Sequence, residues 1–366
     1  MKAAVSIVIP TWNGLELLKQ FLPSVIQAAH HYSDPTEIIV VDDGSQDDTV
    51  SWLASEGFVE ERKSQIAIAA KTGNKNAPHT ALKLLRNETN RGFGETCNRG
   101  IEAASYTLVF LLNNDVEVAL DSIAPLVENF AGVQVFSAHC HVVNFESGQE
   151  CGTGKLGSFS RGFIRVHRSY VPTTTSELKQ SPPHLYSMFA SGGSAMFDRK
   201  KFLEMGGFDA LLLPAYWEDV DISYRAWKRG YTILYEPRSV VRHRVSSTMR
   251  KANQRIIRRT QQRNRLIYHW INLHDGRLLL SHVLWVALLA FTAPLRLQVG
   301  YLMAVFAALK RLPEIRRRRR EEKAFAKRSD RDLFRLFASL ERRADVFAYD
   351  DASELEHQIT PRGPRP

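Results

Sequence analysis

The chain has 366 residues, of which 44% are hydrophobic and 24% charged, which excludes a disordered protein and allows one large domain or two domains. The formal net charge is +10 and the basic residues crowd into the C-terminal third, which favours an anionic partner such as a phosphate, a nucleic acid or an acidic membrane face. Three cysteines without CxxC spacing argue against a disulfide framework and fit a reducing compartment, the cytosol. The apolar run in "MKAAVSIVIP" is too short for a signal peptide, so we expect it to begin the fold.

The N-terminal part alternates short apolar runs with helix-like segments, which predicts a parallel sheet with crossover helices. The predicted strands are "AVSIVIPTW" (4–12), "EIIVVDDGS" (37–45), "ALKLLRN" (81–87) and "LVFLLNNDVEV" (108–118). The predicted helices are "LELLKQFLPSVIQAA", "QDDTVSWLA" and "GETCNRGIEAA". Residues 57–80 form a polar insertion to which the sequence assigns no role.

Polar residues end or follow each predicted strand, in "PTWNG", "DDGS", "NETNRGFGE" and "NNDVE". Ligands of open parallel sheets bind beyond the carboxyl ends of the strands. Any one of these loops alone is compatible with ordinary turn chemistry, since Asp-Gly and Asn-Gly pairs favour turns. Four such loops at one edge predict a single binding site.

The middle of the chain, residues 144–183, is rich in Gly, Ser and Thr and predicts hairpins and loops. "SMFASGGSAMFDRKKFLEMGGFD" then predicts a strand and a short helix that ends at two glycines. "WEDVDISYRAWKRGY" predicts a helix with Glu218 and Asp219 in its first turn and Asp221 and Arg225 at ion-pair spacing. "TILYEP" and "SVVRHRVSS" are interpreted as a strand and a basic loop.

The C-terminal third begins with an Arg-rich helix from Lys251, followed by apolar segments at 278–295 and 297–309. A membrane-spanning helix needs about 20 apolar residues, so the first segment is borderline and the second is too short. Basic residues, including the run Arg316 to Arg320, flank them, as expected for helices on an anionic cytoplasmic leaflet. The alternative is a buried helical pair that caps the preceding domain. Beyond residue 323 we expect one more helix, "RDLFRLFASLERRA", and a disordered end, "TPRGPRP".

Between about Val5 and Ser247 the chain resembles the family 2 glycosyltransferases, most closely the rhamnosyltransferase-like bacterial members. The motifs that carry the resemblance occur in the family's order: "VSIVIPTWNG", "IIVVDDGSQDDT", "NRGFGETCNRG", "LLNNDVE", "SGGSAMFDRKKFLEMGGFD" and "WEDVDISYRAWKRGY". The resemblance implies an α/β architecture, the GT-A fold, with a mostly parallel twisted sheet, helices on both faces and a Rossmann-like nucleotide-binding half. It further implies a catalytic domain at 1–250, a membrane-associated helical region at 251–312 and a basic, partly disordered tail at 313–366.

The resemblance also implies roles for single residues. Asp219 occupies the position of the catalytic base, with Glu218 as the rival base. Asp115 and His243 are the implied ligands of a divalent metal, Mg²⁺ or Mn²⁺. The residues implied to bind or border the nucleotide sugar are Pro10, Thr11, Asn13, Asp42, Asp43, Arg91, Gly92, Asn98, Asn113, Asn114, Gly192 and Gly193.

The chain departs from the family pattern at Asn113, where the family's DxD motif has its first acid. On a strand, Asn113 and Asp115 would point to one side about 6.7 Å apart, while Asn114 would point away. An amide binds hydroxyl groups better than it binds a hard cation. Asp115 is then the one acid of the motif left to hold the metal, and strict metal dependence stays open.

The function implied is inverting transfer of a hexose or deoxyhexose from a UDP- or dTDP-sugar, with dTDP-rhamnose among the candidates. The implied acceptor is a hydroxyl of a lipid-linked or growing cell-surface glycan, at the cytoplasmic side of the cell membrane, with the protein peripheral or monotopic there. The alternatives are an inactive nucleotide-sugar-binding protein and a basic nucleic-acid-binding protein. A nucleic-acid partner is not expected, because the C-terminal arginines flank apolar segments rather than exposed aromatic residues. The sequence does not name the sugar, the acceptor or the oligomeric state.

Two weaker patterns receive structural interpretations. The segment "HCH" at 139–141 with Cys151 is a poor match to a zinc site. Cys97 lies in a predicted helix, where packing is the expected role.

Overall fold

The computed structural model of the chain describes residues 3–60, 80–172, 185–244 and 253–349. Most of the polar insertion, the basic residues Arg250 and Lys251, and the C-terminal "TPRGPRP" lie outside the described residues. Two compact units alternate along the sequence. The first comprises Met1–Gly152, Ala190–Phe208 and Leu234–Ser247, and the second comprises Thr153–Phe189, Asp209–Ile233 and Thr248–Pro366. The predicted boundaries at residues 250 and 312 stay predictions.

A ten-stranded mixed sheet forms the centre of the first unit, in the order β3-β4-β2-β1-β5-β11-β7-β12-β6, with β8 paired to β7. Its strands are β1 (Val5–Thr11), β2 (Thr36–Asp42), β3 (Val59–Glu60), β4 (Thr80–Arg86), β5 (Leu108–Leu112), β6 (Val116–Val118), β7 (Val135–Asn144), β8 (Glu150–Gly152), β11 (Ser194–Asp198) and β12 (Thr232–His243). The strands β1, β2 and β5 are buried along their whole length. Continuous apolar strands of this kind are typical of parallel sheets covered on both faces.

Five neighbouring strands of the sheet run parallel, in the order β3, β4, β2, β1 and β5. The next strand, β11, is antiparallel to β5 and begins the antiparallel half of the sheet. In the parallel half, Thr11 lies opposite Asp42, so the ends of β1 and β2 meet at one edge. In the antiparallel half, His243 at the end of β12 lies opposite Val116 at the start of β6. These registers place the polar loop residues of the first unit along one margin of the sheet.

The helices of the first unit cover both faces of the sheet. They are α1 (Leu15–His31), α2 (Thr49–Ser55), α3 (Phe93–Ala103), α4 (Ile123–Glu128) and α5 (Arg199–Glu204). Helix α3 lies very close to the sheet at Gly100, where a Cβ would stand 2.4 Å from Cγ1 of Val8. Any larger residue at Gly100 would push the helix off the strand.

The second unit contains a three-stranded antiparallel sheet and six helices among its described residues. The strands are β9 (Gly154–Ser160), β10 (Phe163–Pro172) and β13 (Val346–Tyr349). The helices are α6 (Glu218–Lys228), α7 (Gln254–Asn272), α8 (Gly276–Thr292), α9 (Val299–Lys310), α10 (Leu312–Phe325) and α11 (Asp330–Glu341). Helix α11 begins at a capping box, in which Ser329 and Asp332 bond each other's backbone N–H groups.

Two predicted elements differ from the structure. The strand expected over 108–118 is two strands, β5 and β6, separated by a turn at Asn114 and Asp115. The prediction that residues 113 and 115 lie on one strand, with their side chains on the same side, is therefore wrong. The basic loop expected for "SVVRHRVSS" is wrong over Ser239 to His243, because these residues continue β12 and its end pairs with β6.

Among the described residues, no helix is both long and apolar enough to span a membrane. The arginine run 316–320 lies in α10, and two of its five arginines bond interior partners. Arg318 pairs with Asp209 at 2.7 Å, and Arg319 donates to the carbonyl of Trp270 at 2.9 Å. These two arginines are thus engaged by the protein itself, and the role of the run as charge flanking membrane-associated helices stays a prediction.

Candidate active site

Side chains of the loops that follow β1 and β2 tie these loops to each other. Asn13 adopts a left-handed backbone conformation with φ 48°, which asparagine tolerates better than most residues. Its N–H donates to Oγ of Ser45 at 2.8 Å, and its Oδ1 accepts from the N–H of Gln46 at 2.8 Å. The two loops thus form one preorganised rim at the carboxyl edge of the sheet.

Thr11, at the end of β1, lies against the turn that follows β5. Asn114 Nδ2 donates to Thr11 Oγ1 at 2.9 Å. A Cβ at Gly14 would stand 2.3 Å from that same Thr11 oxygen and 2.4 Å from Asn114 Nδ2, so only glycine fits. Asn114 therefore holds Thr11, a residue expected to line the nucleotide pocket. The prediction that the side chain of Asn114 points away from this site is wrong.

The adjacent acids Asp42 and Asp43 have different environments. Asp43 holds the loop after β4, because its carboxylate accepts from Asn87 Nδ2 at 2.7 Å and from the N–H groups of Arg91 and Gly92 at 2.9 and 3.0 Å. Asp42 is fully buried, and its Oδ1 receives no hydrogen bond from any residue that the structure describes. Burial raises the pKa of Asp42, against the lowering effect of its hydrogen bonds from Ser45. Asp42 is thus an acceptor in need of a donor.

The loop 90–92 leads into α3, and Asn98 of that helix fixes a distant segment. Gly92 has φ 87°, so a residue with a Cβ would be strained there. Asn98 exchanges two hydrogen bonds of 2.9 Å with the backbone of Phe208, which is 110 residues away. Arg91 is half-exposed and pairs with Glu95 at 2.9 Å.

The two expected metal ligands of the first unit are in contact. Asp115 Oδ1 lies 3.0 Å from His243 Nε2, and the carbonyl of Asp115 accepts from the N–H of Arg244 at 3.0 Å. Asp115 is buried and His243 is partly exposed. The pairing of β6 with β12 creates this contact, because it sets His243 opposite the residue that follows Asp115.

The glycines before β11 make room for the β5 turn. The N–H of Asn113 donates to the carbonyl of Gly193 at 3.0 Å. A Cβ at Gly193 would stand 2.4 Å from Nδ2 of Asn113, which explains why glycine occupies this position. Its neighbour Gly192 is buried.

Glu218 and Asp219 belong to the second unit and open α6, as the sequence predicts. Tyr216 and Trp217 precede them with φ of 77° and 76°, a left-handed conformation that is strained for aromatic residues. Glu218 is buried, and its Oε2 has no hydrogen-bond partner among the described residues. Burial, and next the charge of Asp219, raise the pKa of Glu218 to about 8. Asp219 is only half-buried. At neutral pH Glu218 is therefore mainly the neutral acid, and Asp219 is the more accessible carboxyl group.

Helix α7 holds the strained segment before Glu218. Asn264 Nδ2 donates to the carbonyls of Ala215 and Tyr216, both at 3.0 Å, and Arg263 donates to the carbonyl of Leu213. The ring of Trp217 packs on Tyr268 with centroids 5.3 Å apart. Sequence reasoning missed this role for α7, although Asn264, a polar residue on the buried face of an Arg-rich helix, was an available signal.

The residues of the weak zinc pattern are used for packing and hydrogen bonding. His139 stacks on Tyr235 with ring centroids 5.3 Å apart, and His141 Nδ1 lies 2.7 Å from the Tyr235 hydroxyl. In the described ranges, no three His, Cys, Asp or Glu side chains cluster as a metal site made by the protein alone.

The family model described as glycosyl transferase family 2 matches residues 6–206, more than half of the chain, and covers the first-unit loops from Thr11 to Gly193 but not His243. The chain belongs to glycosyl transferase family 2. A second model, glycosyl transferase family group 2, matches residues 173–314.

Among the relatives of this family 2 chain is the poly-beta-1,6-N-acetyl-D-glucosamine synthase of Staphylococcus aureus strain COL. It is 22% identical over 234 residues, which cover 64% of this chain and 48% of the relative. The chain thus spans about half the length of the curated relatives of this kind that it matches.

Two solved structures show the same fold. GalNAc-T7 with UDP, GalNAc and Mn²⁺ aligns with a TM-score of 0.52 and 21% identity, over 75% of this chain and 49% of that chain. The mannosyltransferase PcManGT of Pyrobaculum calidifontis, in complex with GDP-Man and Mn²⁺, aligns with a TM-score of 0.50 and 17% identity, over 93% and 85% of the two chains. The predicted GT-A fold is confirmed.

Proposed function

We propose that the chain is an inverting glycosyltransferase that moves a hexose or deoxyhexose from a UDP- or dTDP-sugar, dTDP-rhamnose among them, to a glycan hydroxyl. The observation that carries the proposal is the contact of Asp115 with His243 at the sheet edge that also holds Thr11 and Asp42, in a chain of family 2. The relatives named above for a glucosamine polymer, and the structures containing UDP or GDP-Man, support a nucleotide-sugar donor.

The side chains of Asp115 and His243 in the first unit are suitable ligands for a divalent cation. A buried carboxylate and an imidazole in contact suit Mn²⁺ or Mg²⁺, and the remaining ligands would come from the diphosphate and water, because the described residues supply few. When bound, the cation neutralises the negative charge that develops on the departing diphosphate. Asp115 and His243 would hold it, and the β6–β12 pairing fixes both ligands before it binds.

The environment of Asp42 favours a nucleotide whose base is a pyrimidine. A buried acceptor without a donor is costly, and the N3–H of a uracil or thymine base would supply the missing hydrogen bond to its Oδ1. The neighbouring rim of Asn13 and Ser45 is already held in place by its own hydrogen bonds, so ordering it on binding costs little.

Asp219 is the proposed general base on the acceptor side. It removes the proton of the attacking hydroxyl, and one in-line displacement at the anomeric carbon inverts the configuration. Glu218 is the weaker candidate, because its raised pKa keeps it protonated at neutral pH. The acceptor proposed is a lipid-linked or growing cell-surface glycan, as in polysaccharide biosynthesis.

We place the protein at the cytoplasmic side of the cell membrane, as a peripheral or monotopic protein. Helices α8 and α9 and their connection expose large apolar side chains, including Phe291 at 79%, Leu295 at 82% and Leu297 at 90%. Contiguous exposure of this kind is unusual for a soluble monomer and disfavours a buried helical cap. The net charge of +10 suits an anionic leaflet.

The test is a thermal-shift panel of UDP-, dTDP- and GDP-sugars with and without Mn²⁺, followed by a product assay with the best donor. A ligand that binds the folded protein raises Tm, and at equal concentration a tighter ligand raises it more. We expect a UDP- or dTDP-sugar to raise Tm, and Mn²⁺ to increase the shift. No shift with any nucleotide sugar would overturn the proposal, and a shift without product would indicate a binding protein.

A further inference from the structure

A groove with a cavity volume of about 560 Å³ lies between α7 and α9 in the second unit. Three basic residues, Arg259, Arg263 and Lys310, and three apolar residues, Leu302, Met303 and Phe306, are among those that line it. This α7–α9 groove is within the size range of small-molecule sites and is far larger than an inorganic phosphate needs.

The positive charges of the groove are not neutralised. No carboxylate lines it, and none of its three cations forms an ion pair with a carboxylate in the described part of the chain. Arg259 instead reaches Sδ of Met303, and Lys310 lies over the ring of Phe306 at 5.6 Å. Arg263 donates to neutral oxygens, the carbonyl of Leu213 and Oδ1 of Asn264, which leave its charge in place. Burial, and next the charges of Arg311 and Arg259, lower the pKa of Arg263. The groove therefore offers a local positive potential that an anion would relieve.

The apolar lining of the groove continues into exposed surface of the same helix. Met303 is 49% and Phe306 65% exposed, and Val299 on α9 is also exposed. A ligand that satisfies both halves of the lining carries an anionic head and an aliphatic chain. A nucleic acid matches the lining less well, because Phe306 is the one aromatic ring among the lining residues and the aliphatic side chains offer its bases no stacking surface.

We propose that the α7–α9 groove binds an anionic phospholipid of the bilayer. Its phosphate lies among Arg259, Arg263 and Lys310, and its aliphatic chain lies along Leu302, Met303 and Phe306. The continuity of the lining with the exposed apolar side of α9 favours a bilayer lipid, since its chain leaves the groove where the bilayer would lie. The choice of a bilayer lipid rests on the membrane location proposed above, but not on the proposed sugar or acceptor.

The experiment measures Tm of the full chain with monomeric dihexanoylphosphatidylglycerol below its micelle concentration. We expect a saturable rise in Tm, a smaller rise with dihexanoylphosphatidylcholine, whose choline group is repelled by the three cations, and none with inorganic phosphate. Substituting Arg259→Gln with Lys310→Gln should weaken the apparent affinity about tenfold. The matched control, Lys200→Gln with Arg335→Gln, removes two exposed cations outside the groove and should keep wild-type affinity.

A second variant tests how much the apolar side chains of the groove contribute to lipid binding. Met303→Gln leaves the net charge of the groove unchanged but places a polar amide on the path of the aliphatic chain, and it should also weaken binding. The proposal is overturned if the phosphatidylglycerol produces no shift, if inorganic phosphate produces the same shift, or if the control pair loses affinity as much as the groove pair. A shift with an isoprenoid phosphate but not with phosphatidylglycerol overturns the bilayer source and points to the acceptor lipid.

Discussion

Asp115 and His243 lie in contact, with Oδ1 and Nε2 3.0 Å apart, although 128 residues separate them in the chain. Asp115 belongs to a turn between two short strands, and His243 ends a long strand that pairs with the second of them. The metal site proposed above thus depends on a pairing between distant segments, and either side chain can be removed without breaking a strand.

Removing either ligand should therefore weaken metal binding while the protein stays folded. We expect Asp115→Asn to abolish the additional Tm shift that Mn²⁺ gives with a nucleotide sugar, and His243→Gln to reduce it. The matched control is Glu117→Gln, which removes an exposed carboxylate two residues from Asp115. An unchanged Mn²⁺ effect in Asp115→Asn would show that the metal is held elsewhere or is not needed.

The two acids that open α6 should respond differently to substitution. Asp219→Asn is expected to lower kcat by about 10²- to 10⁴-fold, the usual contribution of a general base, with donor binding retained in the thermal-shift assay. Glu218→Gln should keep most of the activity at pH 7, because the native side chain is already largely neutral there. The opposite ranking of the two variants would assign the base to Glu218.

Glu218 should also make the protein less stable at alkaline pH. Its pKa is raised to about 8 in the folded chain from an ordinary value of 4.5, so the folded state holds the proton more tightly than the unfolded state between these values. Stability is consequently lost as pH rises from 4.5 to 8. Glu218→Gln should raise Tm at pH 8 by a few degrees and have little effect near pH 4.5, as measured by calorimetry across pH. Glu16→Gln, at an exposed carboxylate, should show no such trend.

A stacked histidine pair should make the folded protein less stable at acid pH, which is the opposite pH dependence to that caused by Glu218. His269 and His282 lie parallel with centroids 4.8 Å apart, and their Nε2 atoms accept from the N–H of Ile164 and from Trp270 Nε1. Both rings must be neutral to accept, and burial lowers the pKa of His282 to about 4 and that of His269 well below its ordinary value. The unfolded chain binds these protons first, so stability falls as pH drops from about 6.5 towards 4.

Replacing His282 with Gln should lower Tm at pH 7 by several degrees and make Tm less dependent on pH between 4 and 6.5. His31→Gln, at an exposed histidine on α1, is the control and should leave the pH profile unchanged. If the two variants gave the same profile, the acid sensitivity would have another source.

The sequence predicts those parts of the fold that local pattern determines. Strands β1 and β2 are continuous apolar runs, and α6 begins with its acids and ends before Gly230, so each was predicted within a few residues. The turn at Asp115 was not predicted, because it depends on Gly193 and β12, which are distant in the chain. Arg318 likewise carries no local sign that Asp209, 109 residues earlier, holds it inside. The residue types of the site could be predicted, but not which of them brace the loops.

The buried charges of the second unit limit which truncations of the protein can be interpreted. Arg225 is fully buried between Asp221 at 2.7 Å and Glu322 at 3.9 Å, and Glu322 also binds Arg229 at 2.8 Å. A truncation intended to remove the C-terminal helices would take Glu322 away and leave interior guanidinium groups of α6 without this counter-charge, at a cost of several kcal/mol. Loss of activity in a shortened chain would then report the collapse of the helix that carries Asp219. The proposed membrane attachment is better tested with single substitutions at exposed apolar positions such as Phe291 and Leu297.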